Sequence, residues 1–133
     1  MDPKFSRPRR IKSDTFKVET GCGSMYVIVG KIPGGETPIE VFASLGKAGG
    51  CSTAQNEALG RAISLGLKYG IPAEEFIGEL RGVRCPNPKI GPKNSRCLSC
   101  AEGIGMALSE FLGVPFYDAL QDGLISNEDR NSD

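Results

Sequence analysis

The sequence predicts an α+β domain: a small antiparallel sheet of about three strands, followed by three helices, arranged around a four-cysteine metal site. Three observations carry this prediction. Residues 15–45 alternate apolar and polar side chains with a period of two. From residue 52 to 112 the apolar positions fall three and four apart, interrupted at Gly70, at Gly82 and in the loop before Cys100. Five cysteines occur with no histidine. Three of them lie in Cys85-Pro-Asn-Pro-Lys-Ile-Gly-Pro-Lys-Asn-Ser-Arg-Cys97-Leu-Ser-Cys100, a stretch too rich in Pro, Gly, Lys and Asn to pack as a core.

The first strand begins near Thr15, where Phe16 and Val18 alternate with Lys17 and Glu19. Thr20-Gly-Cys-Gly-Ser24 is a tight turn whose glycines permit positive φ and let backbone N–H groups approach a sulfur. Met25 to Ile32, β-branched and aromatic, is the second strand, and Ile32-Pro-Gly-Gly-Glu36 reverses the chain. Pro38 to Leu45 is the third, with Ile39, Val41, Ala43 and Leu45 on one face and Phe42 on the other.

A glycine loop from Gly46 to Gly50 then leads to Cys51, and Ser52 or Thr53 is positioned to cap a helix running to about Tyr69. Its expected buried stripe is Ala54, Ala58, Ala62 and Leu65, widened by Leu59, Ile63 and Leu67. Asn56, Glu57, Arg61, Ser64 and Lys68 are expected to face solvent, and Gly70 stops the helix. Pro72 opens a second helix, which buries Phe76, Ile77 and Leu80 and ends at Gly82. The third starts near Ala101, places Ile104, Ala107, Leu108 and Phe111 on one side and ends at Gly113. Phe116 to Leu120 are expected to add one more turn.

The 133 residues, 39% hydrophobic and 24% charged, suit one domain with modest tails. The expected division is a flexible basic arm over 1–13, the domain over 14–121 and a disordered acidic tail over 122–133. With no Trp and 7% aromatics, the core should be mainly aliphatic. A formal net charge of zero argues against nucleic-acid binding through the whole surface. The basic run from Lys4 to Lys12 leaves a local contact open, with Arg7, Arg9, Arg10 and Lys12 as candidate phosphate ligands, although a solvated tail is the simpler reading. No apolar h-region follows Met1, and no apolar run approaches the roughly 18 residues needed to span a bilayer. A cytoplasmic protein with no membrane partner is therefore expected, a setting in which clustered cysteines bind metal or do redox work.

Without histidine, a nitrogen-ligated zinc site is excluded and four thiolates are the structural zinc pattern that remains. Such a site is doubly negative. Cys51 and Cys100 stand where helices begin, so free N–H groups and the helix dipole are expected to lower their pKa values. Arg84 and Arg96 adjoin Cys85 and Cys97. The Cys85–Cys97 loop has few apolar groups of its own, and a metal would anchor it. Spacing alone selects Cys85, Cys97, Cys100 and either Cys22 or Cys51. It leaves two other readings open: redox thiols, and unconnected buried cysteines.

Other motifs carry less. Gly30-Lys31 and Gly46-Lys47 lack the remainder of the phosphate-binding loop pattern. The glycines before Cys51 could admit an anion at a helix N-terminus, but they equally let the loop approach a metal. Glu74, Glu75 and Glu79 read as a solvated helix face. Gln55 and Glu57 could support a ligand or simply be exposed.

Several stretches together resemble a known family. They are Thr20-Gly-Cys-Gly-Ser-Met-Tyr-Val, Glu40-Val-Phe-Ala-Ser-Leu-Gly-Lys-Ala-Gly-Gly-Cys51, Ala54-Gln-Asn-Glu-Ala-Leu-Gly-Arg-Ala-Ile-Ser-Leu-Gly-Leu-Lys, Leu80-Arg-Gly-Val-Arg-Cys-Pro and Leu98-Ser-Cys-Ala-Glu-Gly-Ile. In this order they resemble the TSCPD domain, found near the C-terminus of adenosylcobalamin-dependent ribonucleotide reductases and as small separate proteins. The resemblance covers roughly Thr15 to Leu112. It implies Cys22, Cys51, Cys85 and Cys100 as the ligands of a zinc ion, with Cys97 as an addition held in reserve. The family's Ser-Cys-Pro-Asp becomes Ser99-Cys100-Ala101-Glu102, which keeps an acid in the first helical turn.

The resemblance ties the chain to deoxyribonucleotide synthesis but not to the reaction. Nothing in the sequence matches the reductase's barrel, radical cysteine, nucleotide sites or cobalamin site, and the acidic tail lacks a terminal cysteine pair. On its own the chain is therefore expected to bind rather than catalyse, with a reductase polypeptide as the implied partner and nucleic acid or a nucleotide as a weaker one. Two alternatives accompany this reading: a dithiol redox partner of a reductase working through Cys97 and Cys100, and a nucleic-acid-binding zinc module working through the basic arm.

Overall fold

The alternation read from the sequence becomes a three-stranded antiparallel sheet of β1 (Ser13–Thr20), β2 (Gly23–Lys31) and β3 (Pro38–Leu45), in the order β1-β2-β3. The coordinates are a computed structural model that describes residues 4–46, 50–92 and 95–117. Phe16 pairs with Val27 and Val18 with Met25, while Val29 pairs with Val41. One face of the sheet therefore carries the apolar set. Three helices follow, α1 (Gly50–Lys68), α2 (Ala73–Leu80) and α3 (Cys100–Leu112). They lie against that face and against β3, giving two layers.

The core is aliphatic, as the composition required. Met25, Val27, Val29 and Val41 from the sheet meet Ile63 and Leu67 of α1, Ile77 and Leu80 of α2, and Ile104 and Leu108 of α3. Phe16 meets Phe111 edge-on at 6.5 Å, fixing α3 over β1. The fold is therefore built around this apolar cluster, and the cysteines lie beside it rather than at its centre.

Helix α1 departs most from expectation. Its buried residues are Asn56, Gly60, Ile63, Ser64 and Leu67, whereas Ala54, Ala58 and Ala62 are exposed and Leu65 is half-exposed. The reason is that α1 runs along the free edge of β3. Ser64 Oγ accepts from Val41 N–H at 2.8 Å and donates to Val41 C=O at 3.2 Å, pairing both edge groups. A Cβ on Gly60 would stand 3.0 Å from the Val41 oxygen, so glycine permits that approach. Small and hydrogen-bonding residues serve this contact better than an alanine-leucine stripe, and the helix covers an edge that would otherwise be free to pair. The helix also starts at Gly50, so Ser52 and Thr53 lie inside its first turn rather than before it.

Helix α2 begins after Pro72, whose φ of −61° and ψ of 142° place it at the cap. Ser99 caps α3 by accepting from Glu102 N–H, and Gly113, in a left-handed conformation, closes the helix. Phe116 and Tyr117 form a bend rather than a helical turn, and Arg81 Nε donates to Phe116 C=O at 2.7 Å. The remainder of that expected turn, the acidic tail over 122–133 and residues 47–49 of the glycine loop lie outside the described residues. Among those described, no helix is long and apolar enough to cross a membrane.

Candidate metal centre

Cys22, Cys51, Cys85 and Cys100 line a single cleft of about 780 Å³ at one end of the two layers. Leu59, Val83 and Ala101 supply apolar wall, while Arg84, Gln55, Asn56 and Asn87 supply polar groups. Cys22 occupies the β1–β2 turn, where Thr20 Oγ1 accepts from Cys22 N–H at 3.1 Å and donates to Gly23 C=O at 2.8 Å. Cys85 follows α2 and its N–H donates to Leu98 C=O at 3.0 Å. Cys100 is the first residue of α3, and Cys51 the second of α1.

Asn87 joins the first two sulfur-bearing loops. Its backbone N–H donates to Cys85 Sγ at 3.3 Å, and its side-chain amide donates to Gly21 C=O at 2.7 Å and reaches Cys22 Sγ at 3.7 Å. A Cβ on Gly21 would collide with the Asn87 backbone carbonyl, so these loops can touch only with glycine there. N–H groups directed at a sulfur supply hydrogen bonds of the kind a metal-bound thiolate accepts.

The Cys100 thiol is nevertheless held above its ordinary pKa. Burial is the largest cause, the neighbouring sulfurs of Cys22 and Cys85 add to it, and Asn56 and Thr20 oppose it. The lowered pKa expected for Cys100 from its place at a helix start therefore does not hold, burial being the largest cause. Asn56, assigned to the solvent side of α1 by its polarity, is only 6% exposed. Its Nδ2 stands near the Cys100 sulfur without completing a hydrogen bond and has no partner. A buried amide left in this state costs about 1–3 kcal/mol, and a thiolate at Cys100 would supply its acceptor. The donor set, four sulfurs of which those of Cys22 and Cys85 receive N–H groups of Asn87, suits a soft or borderline metal ion. As placed, no three Cys, Asp or Glu side chains among the described residues stand close enough together to hold one.

Cys97 is elsewhere. It is 1% exposed, and its thiol donates to Ser99 C=O at 3.1 Å. Burial pushes its pKa up to about 11, so it is a poor thiolate and a poor partner for redox exchange with Cys100. Arg96, expected to offset the sulfur charge, lies over the Tyr117 ring at 4.3 Å, whereas Arg84 does line the cleft.

The loop from Cys85 to Cys97 has anchors of its own, unforeseen in the sequence. Lys89 and Cys97 exchange both backbone hydrogen bonds, at 2.8 and 2.9 Å. Glu102 is fully buried, and its carboxylate accepts from Gly82 N–H at 2.7 Å and from Leu98 N–H at 2.9 Å, on either flank of the loop.

The TSCPD domain profile matches residues 1–112. The chain belongs to the TSCPD domain family. Among the relatives of this TSCPD domain are vitamin B12-dependent ribonucleotide reductases. That of Rhodopirellula baltica is 25% identical over 109 residues, covering 82% of this chain and 10% of the reductase. That of Agrobacterium fabrum is 34% identical over 70 residues, covering 53% of this chain and 5% of the reductase. The chain thus spans a tenth or less of the length of these relatives. No solved structure matches it.

The family match includes the basic N-terminal segment. There Arg7 makes a two-pronged ion pair with Glu40, Nε to Oε1 at 2.6 Å and Nη2 to Oε2 at 3.1 Å, and Glu40 is 4% exposed. Phe5 N–H donates to Lys68 C=O at 2.8 Å. Of the four candidate phosphate ligands, Arg7 therefore serves the fold, while Arg9, Arg10 and Lys12 are exposed. The TSCPD domain surrounds its cysteines with Thr20, Asn56 and Asn87, none of which sequence reasoning selected. Asn87 left a signal, since Asn two residues after Cys in a Pro-rich loop is a turn former whose backbone N–H can fold back onto the side chain.

Proposed function

We propose that this TSCPD domain is a zinc-binding accessory module that acts by binding, with a vitamin B12-dependent ribonucleotide reductase polypeptide as its partner. The observation supporting it most strongly is the shared cleft of Cys22, Cys51, Cys85 and Cys100 with the buried Asn56 Nδ2 beside the Cys100 sulfur. In this reading the four thiols lose their protons and become the ligands, and Arg84 offsets part of the charge. Asn87 and Asn56 donate to the sulfurs, fixing their direction. Bound zinc would supply a cross-link between the β1–β2 turn, the start of α1, the segment after α2 and the start of α3. Supporting the partner are the reductase relatives, of which this chain matches only a small part.

Metal analysis of protein purified without added zinc tests the site. About one equivalent is expected, retained by Cys97→Ser and lost by Cys85→Ser. A Cys85→Ser protein that keeps its metal overturns the ligand set. Titration against a purified B12-dependent reductase tests the partner, and absence of complex formation with the metal-loaded domain removes it. The dithiol reading is less well supported, because the Cys97 thiol is buried and protonated at neutral pH.

A further inference from the structure

The outer face of the sheet is a second candidate site, independent of the cysteines. Strand register puts Tyr26 and Ile28 of β2 on the same face as Phe42 of β3, with Phe42 directly opposite Ile28. These side chains are 45%, 37% and 53% exposed, respectively. Lys17 of β1 lies opposite Tyr26 and is exposed.

The other end of this face is closed by the chain itself. A Cβ on Gly30 would stand 2.6 Å from Ile11 Cδ1 and 2.9 Å from Glu40 Cγ, and Arg7 neutralises the Glu40 carboxylate there. The segment from Arg7 to Ile11 thus covers one end of the sheet; Arg9 and Arg10 within it are exposed, with Arg10 beside the β2–β3 turn. Residues 4–17 carry six Lys or Arg against one acid, Asp14.

We propose that this face binds a short stretch of single-stranded nucleic acid, with bases stacked on Tyr26 and Phe42 and phosphates held by Lys17, Arg9 and Arg10. Exposed rings on a sheet face offer every base a stacking surface, and neighbouring cations attract the backbone. Size favours this occupant over a second copy of the chain. Each half-exposed aromatic offers on the order of 100 Å², whereas a stable protein interface needs about 800 Å² per partner. The patch is matched to two or three nucleotides. With a net charge of zero over the whole chain, binding should be modest and fall steeply with salt.

The test is fluorescence anisotropy of the full chain with labelled oligo-U and oligo-dT of about 12 nucleotides, against a duplex of equal length. It is run at about 50 mM and about 200 mM salt. Single strands should bind more tightly than the duplex. Phe42→Ala and Tyr26→Ala should each weaken binding about tenfold. Phe42→Leu, which keeps apolar bulk but no ring, should behave like Phe42→Ala, and Phe42→Tyr should retain affinity. Lys17→Gln should lower the salt slope by about one. Circular dichroism checks folding, and Phe42→Tyr keeps the test decisive if an alanine variant fails to fold. The proposal is overturned if single strands fail to bind, if the duplex binds equally well, or if Phe42→Leu and Tyr26→Ala leave affinity unchanged. A protein that instead doubles its mass in sedimentation through Phe42, with no oligonucleotide binding, also overturns it. Metal content is read separately, so either result leaves the zinc proposal standing or falling on its own assay.

Discussion

Replacing Glu102 by alanine or glutamine asks whether the cysteine loop is ordered by the protein itself. The Glu102 carboxylate, 0% exposed, accepts the Gly82 and Leu98 N–H groups. A hydrogen bond to a charged acceptor contributes about 1.5–3 kcal/mol. Alanine removes both bonds and leaves two buried donors beside a cavity, so Glu102→Ala should cost ~3–5 kcal/mol. That is a large part of the roughly 5–15 kcal/mol that holds a domain folded. Glutamine keeps the shape and one carbonyl acceptor but presents an amide to the second N–H, so Glu102→Gln should cost about half as much, ~1.5–3 kcal/mol. Urea unfolding with a chelator present measures both without any contribution from metal. The chain has no Trp, so far-UV circular dichroism is the signal. With a urea dependence of about 1–3 kcal/mol per molar, the alanine variant should shift the midpoint by about 1 M or more. A Glu102→Gln protein within about 0.5 kcal/mol of the parent would show that these two bonds do not anchor the loop.

Other substitutions probe the remaining contacts. Gly21→Ala drives a methyl into the Asn87 carbonyl, so it should separate the Cys22 and Cys85 loops, weaken metal retention and destabilise by ~1–3 kcal/mol, whereas Asn87→Ala should do less to stability. Ser64→Ala leaves the Val41 edge groups unpaired and should cost ~1–2 kcal/mol in thermal or urea unfolding, while Leu65→Lys on the exposed side of α1 should stay within about 0.5 kcal/mol. The Cys97 thiol, with its pKa raised from 9.0 to about 11 in the fold by burial, stays neutral where the unfolded chain ionises. Its contribution is complete below pH 9.0 and is lost as pH rises to about 11. Over that window the parent should lose ~1–2 kcal/mol more than Cys97→Ala in unfolding titrations.

The readable parts of this chain were those where a residue's local role and its tertiary role coincide. Val18, Met25, Val27 and Val41 alternate because one sheet face is buried, and Gly113 marks the end of α3 by its own backbone chemistry. Polarity misled where a polar group has an interior task. Ser64 and Asn56 look like solvent-side residues of α1, yet one pairs with a strand edge and the other lies against the cysteines. Glu102 reads as an ordinary acid in a first helical turn, and its reach to Gly82 and Leu98 depends on a chain reversal that no local pattern encodes. Spacing favoured Cys97 because it is near Cys100 in sequence, but the short segment between them turns Cys97 inward beneath α3. The uncovered face of the sheet was visible only as Phe42 standing opposite its neighbours. Its extent depends on the register that brings Ile28 and Tyr26 beside it.

Metal removal should loosen this domain locally rather than unfold it. Among the described residues, none of the buried members of the apolar cluster lines the cysteine cleft, and the two share the partly buried Leu59, Cys100 and Ala101. Glu102 and the Lys89–Cys97 bridge hold the long loop without help from a ligand. Small zinc fingers, by contrast, have no such core and are unfolded without their metal. Here a chelator should lower the urea midpoint by no more than the binding free energy linked to the site, while one cooperative transition survives. Hydrogen exchange should quicken at the Cys22 turn, in the first turn of α1 and around Asn87, with the amides of β2 still protected. If chelation instead abolishes the cooperative transition, the apolar cluster cannot sustain the fold alone, and the cysteines are its structural centre after all.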